Sequence, residues 1–353
     1  MKKIVLTGGG TAGHVIPNIT LMPYLKELGF SLYYVGSKNG IEKALIEYEK
    51  IPYFGISSGK LRRYFDFRNF TDIFRFIKGI FDSIKILGNI KPDIVFSKGG
   101  FVVVPLVYAA WLRGIKVIIH ESDLTPGLAN RLAAPFAKKI LVSFPETINM
   151  LPKSKTLYTG APLRRDLEGA DREKGLRFLG FPLDGKPLLF AAGGSQGSKA
   201  INLCIRTYLD ELLKKYQVVH LCGKGNMAET DKEGYREYEV LNKDYPHVLQ
   251  AADVVVSRAG ANTIFELLAL RKPNLLVPLS TNQSRGDQIV NAASFNKRGF
   301  SRVVHEDVLM ESFLDEIETL YANREKYVQA MNMDATCCAA QAIASVILAN
   351  VAD

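Results

Sequence analysis

Lys2-Lys3-Ile4-Val5-Leu6-Thr7-Gly8-Gly9-Gly10-Thr11-Ala12-Gly13-His14 begins as a short β-rich run and passes directly into a glycine cluster. A helical pattern follows, from about Val15 to Leu28. The same plan returns in the second half, where Pro187–Ala192 reads as a buried strand ending in Gly193-Gly194-Ser195-Gln196-Gly197-Ser198. Helical periodicity follows there too, through Ile201, Leu203, Tyr208 and Leu212. Between and beyond these stretches lie the apolar runs Ser31–Val35, Ile94–Ser97, Val117–His120, Ile140–Ser143, Val218–Cys222, Val254–Ser257 and Asn274–Pro278, alternating with helical segments. Strand and helix alternating in this way predict parallel sheets covered by helices on both faces. The likeness of the halves predicts two doubly wound α/β domains.

The length of 353 residues suits two domains of ordinary size. Their boundary is expected within Gly160–Lys186, a stretch rich in charge, Gly and Pro, and is placed between 163 and 164. Asp334–Val351 reads as an Ala-rich helix. The N-terminal run is too short for a signal peptide, and no uncharged apolar stretch is long enough to predict a transmembrane helix. Cys204, Cys222, Cys337 and Cys338 lack metal-site spacing and read as reduced thiols of a cytosolic protein. A net charge of +9 suits an anionic partner such as a phosphorylated substrate or an anionic lipid. No nucleic-acid motif accompanies the charge, so nucleic acid is not expected.

A glycine loop between strand and helix presents backbone N–H groups at a positive helix end, which suits phosphate. Residues 8–13 satisfy G-x-G-x-x-G, but the second strand runs into Gly36-Ser37-Lys38 without the carboxylate that a dinucleotide ribose needs. Other polar groups stand where open α/β sheets bind ligands. His14 opens the first helix, where an imidazolium is disfavoured and a neutral base is expected. His120-Glu121-Ser122-Asp123 ends a strand, and Glu266 lies early in the helix after Ser257-Arg258-Ala259-Gly260. Ser284–Asn291 forms a polar loop after Pro278. No D-x-D pair exists to hold a divalent metal on a nucleotide sugar, which fits a leaving group stabilised by loop N–H groups.

Together these segments resemble the UDP-N-acetylglucosamine transferases of bacterial peptidoglycan synthesis. The resemblance rests on residues 9–15, Lys98-Gly99-Gly100-Phe101, His120-Glu121, Gly127-Leu128-Ala129-Asn130, 193–197, Arg258-Ala259-Gly260, Phe265-Glu266, and Asp287-Gln288 with Asn291. It implies a GT-B fold, two Rossmann-like domains whose parallel sheets face a central cleft. Residues 1–163 would take the acceptor and 164–334 the UDP-sugar, with a helix at about 335–353 packing back on the first domain. The implied reaction is inverting transfer of N-acetylglucosamine from UDP to the C4 hydroxyl of N-acetylmuramyl-pentapeptide on undecaprenyl pyrophosphate, without metal or other cofactor. Arg164, Ser195, Gln196, Asn202, Arg258, Glu266, Asp287 and Gln288 would serve the donor. Thr11, Gly13, Gly100 and Asn130 would serve the acceptor, with His14 as base and Glu121 as its partner or alternative.

Ala12, Phe101, Ser122 and Asp123 depart from the family's usual Gly, Tyr, Gln and Asn. Phe101 has no hydroxyl to offer the acceptor, and Asp123 adds a charge near a pyrophosphate. Residues 61–85 interleave Arg62, Arg63, Arg68, Arg75, Lys78 and Lys85 with Tyr64, Phe65, Phe67, Phe70, Phe74 and Phe81. That mixture suits peripheral attachment to an anionic membrane, here its cytoplasmic face, and a place in a cell-wall synthesis complex. A helix packing its aromatic side on a sheet gives a similar pattern. Two other readings are a transferase acting on a different lipid and a UDP-sugar-binding relative without activity.

Overall fold

In the computed structural model, residues 2–59, 68–194, 196–228, 230–281, 284–334 and 339–352 are described. They divide into two compact units, Met1–Leu163 with Cys338–Asp353, and Arg164–Cys337.

The first unit is built on β1 (Lys2–Thr7), β2 (Phe30–Ser37), β3 (Tyr53–Ile56), β4 (Ile94–Ser97), β5 (Lys116–Glu121), β6 (Lys139–Val142) and β7 (Thr156–Tyr158). All pair in parallel, in the order β3-β2-β1-β4-β5-β6-β7. Val5 lies opposite both Tyr33 and Val95, so the chain reverses direction across the sheet between β1 and β4. Such a switch point opens a crevice at the carboxyl ends of its strands. The helices are α1 (Ala12–Glu27), α2 (Ile41–Tyr48), α3 (Arg68–Ile90), α4 (Val103–Leu112) and α5 (Leu128–Ala133).

The second unit repeats the plan with β8 (Leu188–Ala192), β9 (Gln217–Leu221), β10 (Tyr235–Tyr238), β11 (Val254–Ser257), β12 (Asn274–Leu276) and β13 (Arg302–Val303). Their order is β10-β9-β8-β11-β12-β13, which puts the switch point between β8 and β11. Helices α6 (Arg172–Leu179), α7 (Lys199–Thr207), α8 (Leu209–Lys215), α9 (Tyr245–Ala251), α10 (Ala261–Ala269), α11 (Asp287–Lys297), α12 (Leu309–Ala322) and α13 (Arg324–Asn332) surround this sheet.

The strands read as unbroken apolar runs because both faces of each sheet are covered. Ile4 and Leu6 enter one core with Ile94, Phe96 and Ile118, whereas Val5 between them enters the other with Val95 and Val117. The last helix, α14 (Ala339–Ala352), closes the first of these cores with Ala340, Ile343, Ala344 and Ile347 and packs beside α1. Its two fully buried isoleucines each contribute roughly 1.5–3 kcal/mol, enough to hold a short Ala-rich helix in place. Lys116 adds a hydrogen bond from Nζ to the Asn350 carbonyl at 3.0 Å. Among the described residues no helix is long and apolar enough to cross a membrane.

Candidate active site

In the first unit the loops after β1, β4 and β5 interlock. The Gly9 N–H donates to the Gly99 carbonyl at 3.4 Å, and Lys98 N–H donates to the Thr7 carbonyl at 2.9 Å. Gly100 has φ +87°, and a Cβ there would collide with the Gly9 carbonyl oxygen, so only glycine permits this approach. His14 stands in the first turn of α1, behind the N-cap Thr11. Its Nδ1 lies 3.1 Å from the Gly9 carbonyl oxygen and 3.1 Å from the Thr11 hydroxyl. A carbonyl only accepts, so Nδ1 carries the hydrogen and Nε2 keeps the basic lone pair. One glycine thus connects the 98–100 loop to the orientation of the histidine. Thr11 and Gly13 are exposed beside it.

Glu121 ends β5 and is buried, with its oxygens engaged by its own loop. Oε1 accepts from Asp123 N at 3.0 Å; Oε2 accepts from Gly127 N at 2.9 Å and Asn130 Nδ2 at 2.8 Å. It thereby clamps the 121–127 loop to the start of α5, with both oxygens of the candidate alternative base already engaged. Asn130 is likewise buried and ties that carboxylate to the His120 carbonyl at 3.2 Å.

Two side chains that sequence reasoning passed over complete this half. Glu42, fully buried, reaches from the first turn of α2 to accept from Gly10 N at 3.3 Å and from the Ser37 N–H and hydroxyl at 2.9 and 2.5 Å. A buried carboxylate thus already engages the first glycine loop, and a dinucleotide pyrophosphate would have to displace it. Spacing gave no warning, since Glu42 lies beyond the end of β2. Lys98, within the quoted Lys-Gly-Gly-Phe motif, is buried behind the same loops.

In the second unit, Ser198 caps α7 by accepting from Ile201 N at 3.3 Å. Gly194 and Gly197, with φ +88° and +78°, turn the preceding loop toward the helix end. Asn202 is buried within α7; its Nδ2 donates to the Cys222 carbonyl and its Oδ1 accepts from His220 Nε2, both at 2.9 Å. It supports the loop from behind. Gln196 is exposed, its carbonyl held by Asn226 Nδ2 at 3.2 Å. Ser195 lies outside the described residues.

Arg258 is buried, and its guanidinium pairs with both oxygens of Glu306 at 3.2 Å and donates to the Val277 carbonyl at 3.1 Å. This buttresses the end of β12 and engages the guanidinium that the resemblance assigns to the donor. Gln288 is partly buried, and its Oε1 accepts from Leu279 N at 3.1 Å, which turns its amide NH2 to the donor role. Asp287, in the first turn of α11, lies 3.8 Å from Arg285 Nε.

Glu266, Tyr245 and Arg164 form the cluster that the sequence showed only in part. Tyr245 Oη donates to Glu266 Oε2 at 3.0 Å, and the Arg164 guanidinium lies 5.6 Å from the centre of the Tyr245 ring. Asp166 holds Arg164 through two hydrogen bonds, at 3.0 and 2.6 Å. Burial pushes the Glu266 carboxyl up to about 7, while the Tyr245 hydroxyl and Arg164 pull it down. Only the ionised carboxylate accepts at both oxygens. Affinity for a polyhydroxylated ligand at Glu266 should therefore weaken as pH falls through about 7. Tyr245→Phe removes a hydrogen bond that favours ionisation and should move that fall to higher pH. Titration calorimetry with UDP between pH 5.5 and 8.5 checks both; a flat profile for wild type and variant would refute the link.

Among the described residues no group of three His, Cys, Asp or Glu side chains is placed to hold a metal. The model of the glycosyltransferase family 28 N-terminal domain matches residues 4–142, and that of its C-terminal domain matches 188–347. The UDP-N-acetylglucosamine–N-acetylmuramyl-(pentapeptide) pyrophosphoryl-undecaprenol N-acetylglucosamine transferases of Clostridium tetani (strain Massachusetts / E88) and Clostridium perfringens (strain SM101 / Type A) are each 56% identical to this chain. Each match covers 94% of this chain and 93% of the relative. The crystal structure of Acinetobacter baumannii MurG shares the fold, with a TM-score of 0.77 at 24% identity over 99% of this chain and 100% of that one.

Proposed function

The chain belongs to glycosyltransferase family 28, and from that membership we propose that it moves N-acetylglucosamine from UDP to the C4 hydroxyl of undecaprenyl-pyrophosphoryl-N-acetylmuramyl-pentapeptide, with inversion. The observation that carries this reading is 56% identity, over nearly the whole of both chains, to transferases of that name. The unit formed by 1–163 and the last helix takes the acceptor, and 164–334 takes the donor. His14 Nε2 removes the proton of the acceptor hydroxyl, whose oxygen attacks the anomeric carbon as the bond to UDP breaks. The electron pair leaves with the β-phosphate of UDP. Arg164 and Ser195 meet the phosphates, the α7 N-terminus helps offset that charge, Glu266 receives the ribose, and Asp287 and Gln288 receive the sugar. In this reading protein groups meet the leaving-group charge and transfer needs no divalent metal. Transfer that stops in EDTA and returns with magnesium would refute this part.

The acceptor's long lipid tail calls for a membrane-facing surface, and α3 supplies one. Phe76, Ile80 and Ile84 pack against the core, so part of the aromatic pattern serves the sheet. On the other side Ile73, Phe74, Ile77 and Phe81 are exposed, with Phe74 72% accessible, and Lys78 and Lys85 stand beside them. Helix α4, packed against α3, ends in exposed Trp111 and Leu112. Residues 60–67 lie outside the described residues, as do the side chains of 68–71, so the basic cluster at Arg62, Arg63 and Arg68 is not placed. The protein attaches peripherally to the anionic cytoplasmic face, where a cell-wall synthesis complex would meet it. Phe74→Ser with Phe81→Ser should lower retention on phosphatidylglycerol vesicles about thirtyfold at low salt, at about 1 kcal/mol per lost anchor. Unchanged sedimentation would exclude α3 as the contact.

A further inference from the structure

Lys98 lies at the carboxyl end of β4, 1% exposed, in a region where a cation is costly. Its Nζ donates to the Ser122 hydroxyl at 2.7 Å and to His120 Nδ1 at 2.6 Å. His120 Nε2 lies 3.1 Å from the Gly160 carbonyl, which fixes its hydrogen on Nε2 and leaves Nδ1 to accept from the lysine. The charged groups facing Lys98 are Glu121 of β5 and Asp123 of the following loop, and the titratable group against it is His120. The next residues, Gly99 and Gly100, pack on Asn130 and Gly9. One buried side chain therefore sits behind three loops of the acceptor half-site and opposes the two carboxylates on one of them.

We propose that Lys98 is a positioning residue for the anionic acceptor: it pins Ser122 and His120, and its charge offsets Glu121 and Asp123 so that a pyrophosphate can approach the loop. The proposal rests on the transferase reading given above. It accounts for Ser122 and Asp123 together, one as the hydrogen-bond partner of the lysine and the other as part of its counter-charge. Burial lowers the Lys98 ammonium to about 7, against the pull of Glu121 and Asp123. The folded protein therefore binds this proton less readily than the unfolded chain, and stability from this site declines as pH falls from the ordinary lysine range toward about 7. A lysine retained only for structure would be better replaced by an apolar residue.

The test compares wild type, Lys98→Met, Lys98→Gln and Lys98→Met with Asp123→Asn, using a short-chain prenyl-pyrophosphoryl-N-acetylmuramyl-pentapeptide as acceptor. Lys98→Met should keep or raise Tm at pH 7 and leave UDP affinity unchanged, while the acceptor KM rises about tenfold or more, as expected for loss of a charged hydrogen-bonding group. The wild-type kcat/KM for acceptor should fall on the alkaline side as Lys98 loses its proton, and that limb should vanish in Lys98→Met. Adding Asp123→Asn should recover part of the acceptor KM, which a packing defect would not permit. Lys98→Gln guards against failure of Lys98→Met to fold, with the same KM shift expected. An unchanged acceptor KM in a folded variant, or no recovery with Asp123→Asn, overturns the role of Lys98. A wild-type protein that binds UDP but neither binds nor glycosylates this acceptor overturns the transferase reading instead, and the Lys98 role with it.

Discussion

Replacing His14 by alanine is expected to lower turnover about 100-fold or more, while UDP binding stays nearly intact. The expectation follows from geometry within the first unit. Nδ1 is committed to the Gly9 carbonyl at 3.1 Å, which fixes the tautomer and directs basicity to Nε2. Glu121 is the less well placed of the two candidates, because its two oxygens already accept from Asp123, Gly127 and Asn130. The UDP contacts we propose all lie in the other unit, so kcat should fall with little change in donor KM. His14→Gln, which retains a donor toward Gly9 but no base, should be nearly as slow as the alanine variant. A variant with wild-type turnover would remove His14 from the chemistry.

Gly100→Ala should be of similar severity, with transfer reduced about 100-fold or more, although residue 100 carries no reactive group. Its φ of +87° costs a side chain about 1–3 kcal/mol, and the added carbon would collide with the Gly9 carbonyl oxygen. That oxygen is the one that orients His14. Relief of the collision displaces the anchor of the base, and a shift of about 1 Å is enough to produce the loss. Because Gly100→Ala acts through the orientation of His14, the two effects should not add: Gly100→Ala with His14→Ala should be little slower than the slower single variant. Full multiplication of the two losses would show that Gly100 acts by another route. Circular dichroism and UDP binding, both expected near wild type, separate this from global unfolding.

Most of the fold was legible because parallel strands buried on both faces write long apolar runs. Ile94–Ser97 and Val254–Ser257 were located to the residue, and the other central strands to within a residue or two. The four strands not foreseen, at 53–56, 156–158, 235–238 and 302–303, are the edges of the two sheets. An edge strand has one neighbour and partial cover, so Tyr-Arg-Glu-Tyr at 235–238 shows no continuous apolar signal. The placement of candidate residues after strand ends was legible, as at His14 in the first turn of α1 and Glu266 in α10. Partners brought in from elsewhere were not visible: Tyr245 comes from α9 to Glu266, Glu306 from beyond β13 to Arg258, and Glu42 from α2 to Gly10. Residue type alone does not disclose such partners, as the internal hydrogen bonds of Arg258 and Glu121 illustrate.

The most direct measurement is transfer of radiolabelled N-acetylglucosamine from UDP to a short-chain prenyl-pyrophosphoryl-N-acetylmuramyl-pentapeptide in EDTA, with UDP-glucose as competing donor and a diacylglycerol as competing acceptor. The account predicts metal-free transfer to the pyrophosphoryl acceptor alone, selective for the N-acetylated sugar. UDP binding without transfer to that acceptor, or preferential glycosylation of diacylglycerol, would contradict it.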